Sequence, residues 1–119
     1  MFYSQIIPDK VIAKLKELKV LNPNEEIVAF YDNTAFLSAT KGLLVTTTEV
    51  RLYNGKKVIS YKMENIKDII YKEIDKETYL FKMMLITKDN KEIDITPTGI
   101  PNDEMSLFIY VINSFRKGR

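Results

Sequence analysis

Between Glu25 and Thr96 the chain is a succession of short runs in which apolar and β-branched residues recur at every second position. A period of two sends alternate side chains to opposite faces of a strand. Most of the connections between runs are only a few residues long, and a parallel crossover needs a dozen or more, so neighbouring runs must pair antiparallel. The runs are EEIVAFYD (25–32), GLLVTTT (42–48), EVRLY (49–53), KKVISYKM (56–63), IKDIIYKEI (66–74), TYLFKMMLITK (78–88) and KEIDIT (91–96). They predict about seven strands over a β region of about 25–96. Within the first run the alternation sets Ile27, Ala29 and Tyr31 against Val28 and Phe30. Asn54-Gly55 predicts a tight type I′ hairpin, because both residue types tolerate positive φ. Asp75-Lys76-Glu77 and Asp89-Asn90 mark two later turns.

Two helices bracket this region. From about 9 to 20 the apolar residues Val11, Ile12, Leu15 and Leu18 follow helical spacing, with Asp9 as the expected N-cap and Pro23 ending the pattern. From about 102 to 117 the stripe is Met105, Phe108, Ile109, Ile112 and Phe115. Asn102 is the expected N-cap there, Asp103 and Glu104 suit the first turn, Arg116 and Lys117 the last, and Gly118 the stop.

A chain of 119 residues holds one core, so residues 1–119 form a single domain. It has no Cys and no His, which excludes disulfides, thiolate and imidazole metal sites, and Cys- or His-dependent nucleophile systems. Ser60, Thr46 and Thr48 have no base to activate them, and the four glycines lie too far apart to form a phosphate loop. Glu92 and Asp94 share one strand face, where the expected role is a solvated surface rather than acid–base work. The expectation is therefore a non-enzyme without cofactor or metal. Net charge is +2, which is no nucleic-acid footprint. The N-terminus lacks the pattern of a secretion signal, and with the missing cysteines this points to the cytoplasm. Fifteen lysines against three arginines fit an AT-rich bacterial or phage genome.

The run Thr48-Glu49-Val50-Arg51-Leu52-Tyr53, followed by a hairpin, then Ser60-Tyr61 leading to Ile66-Lys67-Asp68-Ile69, two further strands and a closing helix, resembles the bacterial pleckstrin-homology-like domains. The resemblance covers roughly residues 10–117. It implies a mainly β fold of the β-barrel or roll type, with two near-orthogonal antiparallel sheets capped by the C-terminal helix and an additional N-terminal helix. It also implies an interaction module, often self-associating. Phosphoinositide-binding relatives carry a basic cluster after the first strand, whereas the segment Asn33 to Lys41 here holds only Lys41.

Two candidate surfaces follow from the residues. The first is for protein contact and homo-oligomer formation: Leu80, Met84, Ile86, Leu107, Tyr110 and Val111 are apolar residues in excess of what one buried face of each element requires. Strand 78–88 is apolar on both sides, and its second face needs a cover, for which the N-terminal helix, the Ala35-Phe36-Leu37 segment or another chain are the candidates. The second is an anion or lipid-headgroup site in which Lys41, Arg51, Lys56 and Lys57 converge on the rim of the first hairpins, tempered by Glu49. Lys10, Lys14, Lys16 and Lys19 offer the N-terminal helix to an anionic membrane, but its short aliphatic face and Glu17 favour packing on the domain or on another subunit.

Overall fold

The computed structural model describes residues 2–4, 6–34 and 39–118. The order is β1 (Phe2–Tyr3), α1 (Asp9–Glu17), β2 (Ile27–Asp32), β3 (Lys41–Thr46), β4 (Glu49–Asn54), β5 (Lys57–Lys62), a single 3-10 turn (Met63–Asn65), β6 (Ile66–Asp75), β7 (Leu80–Thr87), β8 (Glu92–Asp94) and α2 (Asn102–Lys117). Strands β1 to β5 form one antiparallel sheet in sequence order, and β6 to β8 form a second. The seven expected strands are present. The eighth, β1, is too short to show a period, and it pairs Phe2 and Tyr3 with Tyr31 and Phe30.

The first sheet is buried on both faces over its central strands. Ala29, Tyr31, Leu43, Val45 and Val50 join Ile69, Met83 and Leu85 of the second sheet and Met105, Phe108 and Ile112 of α2 in the larger core. On the opposite face Phe30, Leu44 and Tyr53 pack under Val11 and Leu15 of α1, with Val20 and Leu21 beside them. Phe2 and Tyr3 follow the same division, Phe2 resting 4.9 Å from Phe108 and Tyr3 stacking on Phe30. A register irregularity between Ile27 and Ala29 shifts the start of β2 by one residue. Ile27 consequently joins the face of Phe30 and Val28 the face of Ala29, opposite to what strict alternation predicts, because a bulge switches the side on which each residue emerges.

Several boundaries differ from expectation for local reasons. Helix α1 ends at Glu17 rather than near residue 20, since Lys19 adopts φ 60° and the amides of Val20 and Leu21 fold back on the Leu15 carbonyl. That left-handed stop turns the chain so that Val20 and Leu21 are buried. Pro8 and Pro101, rather than Asp9 and Asn102, occupy the N-cap positions, and neither helix has a side-chain cap. The Asn102 amide instead donates to the Tyr79 carbonyl. In the β4–β5 hairpin Asn54 pairs with Lys57, which leaves Gly55 and Lys56 in the turn. Only Gly55 has positive φ, as expected of a type II′ rather than a type I′ turn. The segment Ala35-Phe36-Leu37 lies outside the described residues.

Helix α2 closes the larger core and also covers the outer edge of β6. The Asn113 amide donates to the Ile69 carbonyl, and the Arg116 guanidinium donates to the carbonyls of Ile66 and Lys67. Side chains thereby occupy backbone acceptors at the start of that edge, between Ile66 and Ile69.

Gly42 fixes how closely β2 and β3 approach. A Cβ there would lie 2.2 Å from the Tyr31 carbonyl oxygen and 3.1 Å from a ring carbon of Phe30, and backbone cannot yield as a flexible side chain can. Gly42→Ala is expected to lower stability by about 2 kcal/mol, read as a lower urea midpoint with unchanged slope; an unchanged midpoint would show that β2 and β3 separate freely.

Candidate functional site

The residues expected on an anion-binding rim divide into two groups. Lys41 pairs with Asn54 across β3 and β4, and Asn54 pairs with Lys57 across β4 and β5. The two lysines therefore flank Asn54 on one face of the sheet, two strand spacings or roughly 10 Å apart. Lys56 is exposed in the adjoining turn. Arg51 does not belong with them. It is only 7% exposed and pairs with Leu44 and Ser60 on the face covered by α1.

Arg51 is a clamp inside the fold. Its Nη1 and Nη2 donate at 2.6 Å each to the two oxygens of Glu25, its Nε donates at 2.7 Å to Glu49, and Nη1 also donates to the Val20 carbonyl at 2.7 Å. A planar guanidinium suits this two-pronged contact, which a lysine does not reproduce. It ties the segment after α1 to β4, and the left-handed stop at Lys19 presents the carbonyl it uses. The bond from Arg51 is the leading reason the Glu25 carboxyl sits below its ordinary value of 4.5, against an opposing push from burial. An anion ligand would have to displace two carboxylates from Arg51.

The apolar residues expected at a protein interface do not converge on one surface either. Met84 and Ile86 lie on the outer face of the second sheet. Ile70 is directly opposite Met84, and all three are half-buried. Lys72 and Glu92 sit one row to either side of Met84 in the pairing, so their 2.9 Å ion pair crosses above it. Lys82 and Asp94 make a similar bridge at 3.1 Å. Both carboxylates of the Glu92 and Asp94 pair are thus taken up in ion pairs on this face, beside the half-buried Met84 and Ile86. Leu80 is exposed near the tip of the β6–β7 hairpin, Leu107 and Tyr110 are exposed on α2, and Val111 packs partly against the main core. Helix α1 covers the first sheet, not the second.

The feature that gathers apolar and cationic groups together lies elsewhere, beside β5. Five of its six residues are exposed, including Ile59 at 61% and Val58 at 37%. Because Asn54 and Lys57 close a two-residue turn, the hydrogen-bonded pairs to β4 fall at Lys57, Ile59 and Tyr61. The Met63 amide continues that alternation by bonding to the Thr48 carbonyl. The backbone groups of Val58, Ser60 and Lys62 therefore point away from the sheet. Along this edge run two adjoining clefts between the sheets. One, of about 690 Å³, is lined by Tyr61, Ile66, Leu85 and Ile93 with Lys88 and Lys91 at its rim. The other, of about 390 Å³, has Leu43, Leu52, Ile59 and Ile95 as its floor and Lys41 and Lys57 at its mouth. Asp89 is the one acidic side chain lining them, and it lies 3.7 Å from Lys91. The Thr87 hydroxyl bonded to Asp89 is the main cause holding its carboxyl below the usual range.

Of the expected site residues, this trough gathers Lys41 and Lys57. Ile59, Tyr61, Ile93 and Lys88 are additions that periodicity did not single out, since each looks like any alternating strand or turn residue. Among the described residues no group of three or more acidic, Cys or His side chains is placed to hold a metal ion, and no helix is long and apolar enough to cross a membrane. In comparisons with known proteins, no family model, no curated protein and no solved structure matches the chain.

The clamp generates a prediction that separates it from the trough. Glu25 is more acidic folded than unfolded, so its contribution is fully present above about pH 4.5 and is lost as pH falls through the lower folded value. Arg51→Met is expected to cost roughly 3 kcal/mol near neutral pH and to flatten the acid side of the stability profile. Urea unfolding at a series of pH values checks this; an unaltered acid limb would remove Glu25 as its source.

Proposed function

We propose that this chain is a non-catalytic protein-binding module of the bacterial pleckstrin-homology-like kind, and that it receives an extended segment of its partner as an added strand on β5. The order of elements, with five strands, three strands and a closing helix, supports the family reading. The observation that carries the binding reading is the unpaired six-residue edge of β5 beside a cleft with an apolar floor. Main-chain bonds to Val58, Ser60 and Lys62 would supply affinity, and pockets for alternate side chains would supply selectivity. The other long edge, that of β6, is blocked over its first residues by Asn113 and Arg116, whereas β5 is open along its length among the described residues, and this contrast favours β5 as the receptive side.

A second copy of the chain is the alternative occupant. With β5 paired on its own copy about a two-fold axis at Ser60, Val58 would face Lys62, Ile59 would face Tyr61 and Lys57 would face Met63, so no carboxylate would meet the lysine rim. The anion-binding alternative retains Lys41, Lys56 and Lys57 but not Arg51. It leaves the apolar floor and the strand edge without a role.

Ser60→Pro tests the reading, because it removes the central outward amide while the bonds from β5 to β4 stay intact, a position where proline is tolerated. Peptides selected from a random display library on the wild-type protein are expected to shift the amide resonances of β5. They are expected to lose binding to Ser60→Pro and to Ile59→Lys, with circular dichroism unchanged. Selected peptides that instead shift α2 or the outer face of the second sheet would overturn the proposal, as would the absence of any selected peptide.

A further inference from the structure

The strand-docking reading leaves the partner's chemistry open, and the trough restricts it. An antiparallel partner, the more stable pairing, would run against β5, so its C-terminal end would lie over Lys57 and its N-terminal end over Lys62. Hydrogen bonds to the partner would form at Val58, Ser60 and Lys62. Partner residues opposite Tyr61, Ile59 and Lys57 would then occupy non-hydrogen-bonded positions, where side chains approach most closely. Those three β5 residues share the face of Val50, Leu52 and Asn54, which is the cleft side.

The two ends of the trough differ in chemistry along that line. Tyr61 and Ile59 line the clefts with the half-buried Ile93 and Leu52, above the buried Leu85 and Ile95. Lys57 stands beside Lys41, and neither makes an ion pair with another described residue. Two ammonium groups held on either side of Asn54 present an uncompensated positive field at the place where the partner's last facing side chain would arrive. Lys88, at the far rim, likewise has no ion pair among the described residues.

Resting on the strand-docking proposal, we infer that the trough selects an acidic extended segment in which two apolar residues and a carboxylate alternate along one face, in that order toward the C-terminus, with the carboxylate held between Lys41 and Lys57. Lysines at both ends of β5 also discourage indiscriminate edge pairing.

The test uses the full chain and three blocked seven-residue peptides, acetylated and amidated so that no terminal charge contributes. The first has Val, Ile and Glu at its second, fourth and sixth positions and Thr elsewhere. The second replaces Glu with Lys, and the third reverses the order of the first. Titrations followed by amide chemical shifts are expected to place the first peptide on β5. The Lys peptide is expected to bind about ten-fold more weakly, and the preference to invert in Lys41→Glu/Lys57→Glu. Binding of the first peptide should weaken as salt rises. Equal binding of the first two peptides on β5 would overturn the inference and leave strand docking standing. Tighter binding of the reversed peptide would overturn the polarity on which it rests. If neither of the first two peptides moves β5 amides at millimolar concentration, strand docking itself fails. A doubled mass in light scattering that the first peptide does not reverse would assign the edge to a second copy. Flotation with phosphatidylserine vesicles that the same peptide does not compete would assign the lysines to a membrane surface. Either result overturns the inference.

Discussion

Because the central strands of the five-stranded sheet carry apolar residues on both faces, the rest of the molecule has to supply two covers. The second sheet and α2 form one of them, and α1 with the segment after it forms the other. Burial of large side chains such as Phe30 and Phe108 contributes on the order of 2 kcal/mol each, but burial is non-directional and does not fix where a cover sits. Arg51 supplies the direction for the α1 side. A buried guanidinium in a largely apolar face must find acceptors, and it finds Glu25, Glu49 and the Val20 carbonyl. The α1 segment is thereby locked in one register over the sheet.

Covering both faces leaves the edges as the remaining unsatisfied surface. At β6 the first part of the edge is met by donors from α2, so a helix that closes the core also blocks part of a sheet edge. At β5 no element of the described residues crosses. The chain leaves that strand through one 3-10 turn and enters the second sheet at β6, and β8 is only three residues long. The trough is the geometric remainder of a fold whose two helices are committed elsewhere. Its lining combines apolar side chains with lysines at the rim.

Much of this architecture was legible beforehand. The alternation from 25 to 96, the short turns and the stripe Met105, Phe108 and Ile112 announced the antiparallel strands and the closing helix. What misled was any residue whose role depends on distant partners. Arg51 reads as an exposed strand cation beside Lys56 and Lys57, and nothing local announces that Glu25 lies across from it. Met84 and Ile86 read as an apolar face, and only the register across three strands sets the bridges of Lys72 with Glu92 and Lys82 with Asp94 beside them. Asn102 and Asp9 read as caps, but proline took the cap position at each helix, and Asn102 was left for the hairpin. β1 was invisible because two residues carry no period.

Sequence alone determined the class of structure, since periodicity, turn chemistry and chain length are local properties that act before any long-range contact forms. It also excluded, by composition, the chemistries that require Cys or His. Tertiary structure decided which strand would be an edge, which face each helix would cover, and therefore which cations would be consumed inside and which would remain at a surface. Those outcomes depend on strand order and on the reach of side chains between segments far apart in the chain, such as Arg51 and Glu25 or Asn113 and Ile69. A short-range pattern cannot encode the partners of a group whose environment is assembled only when the sheets close.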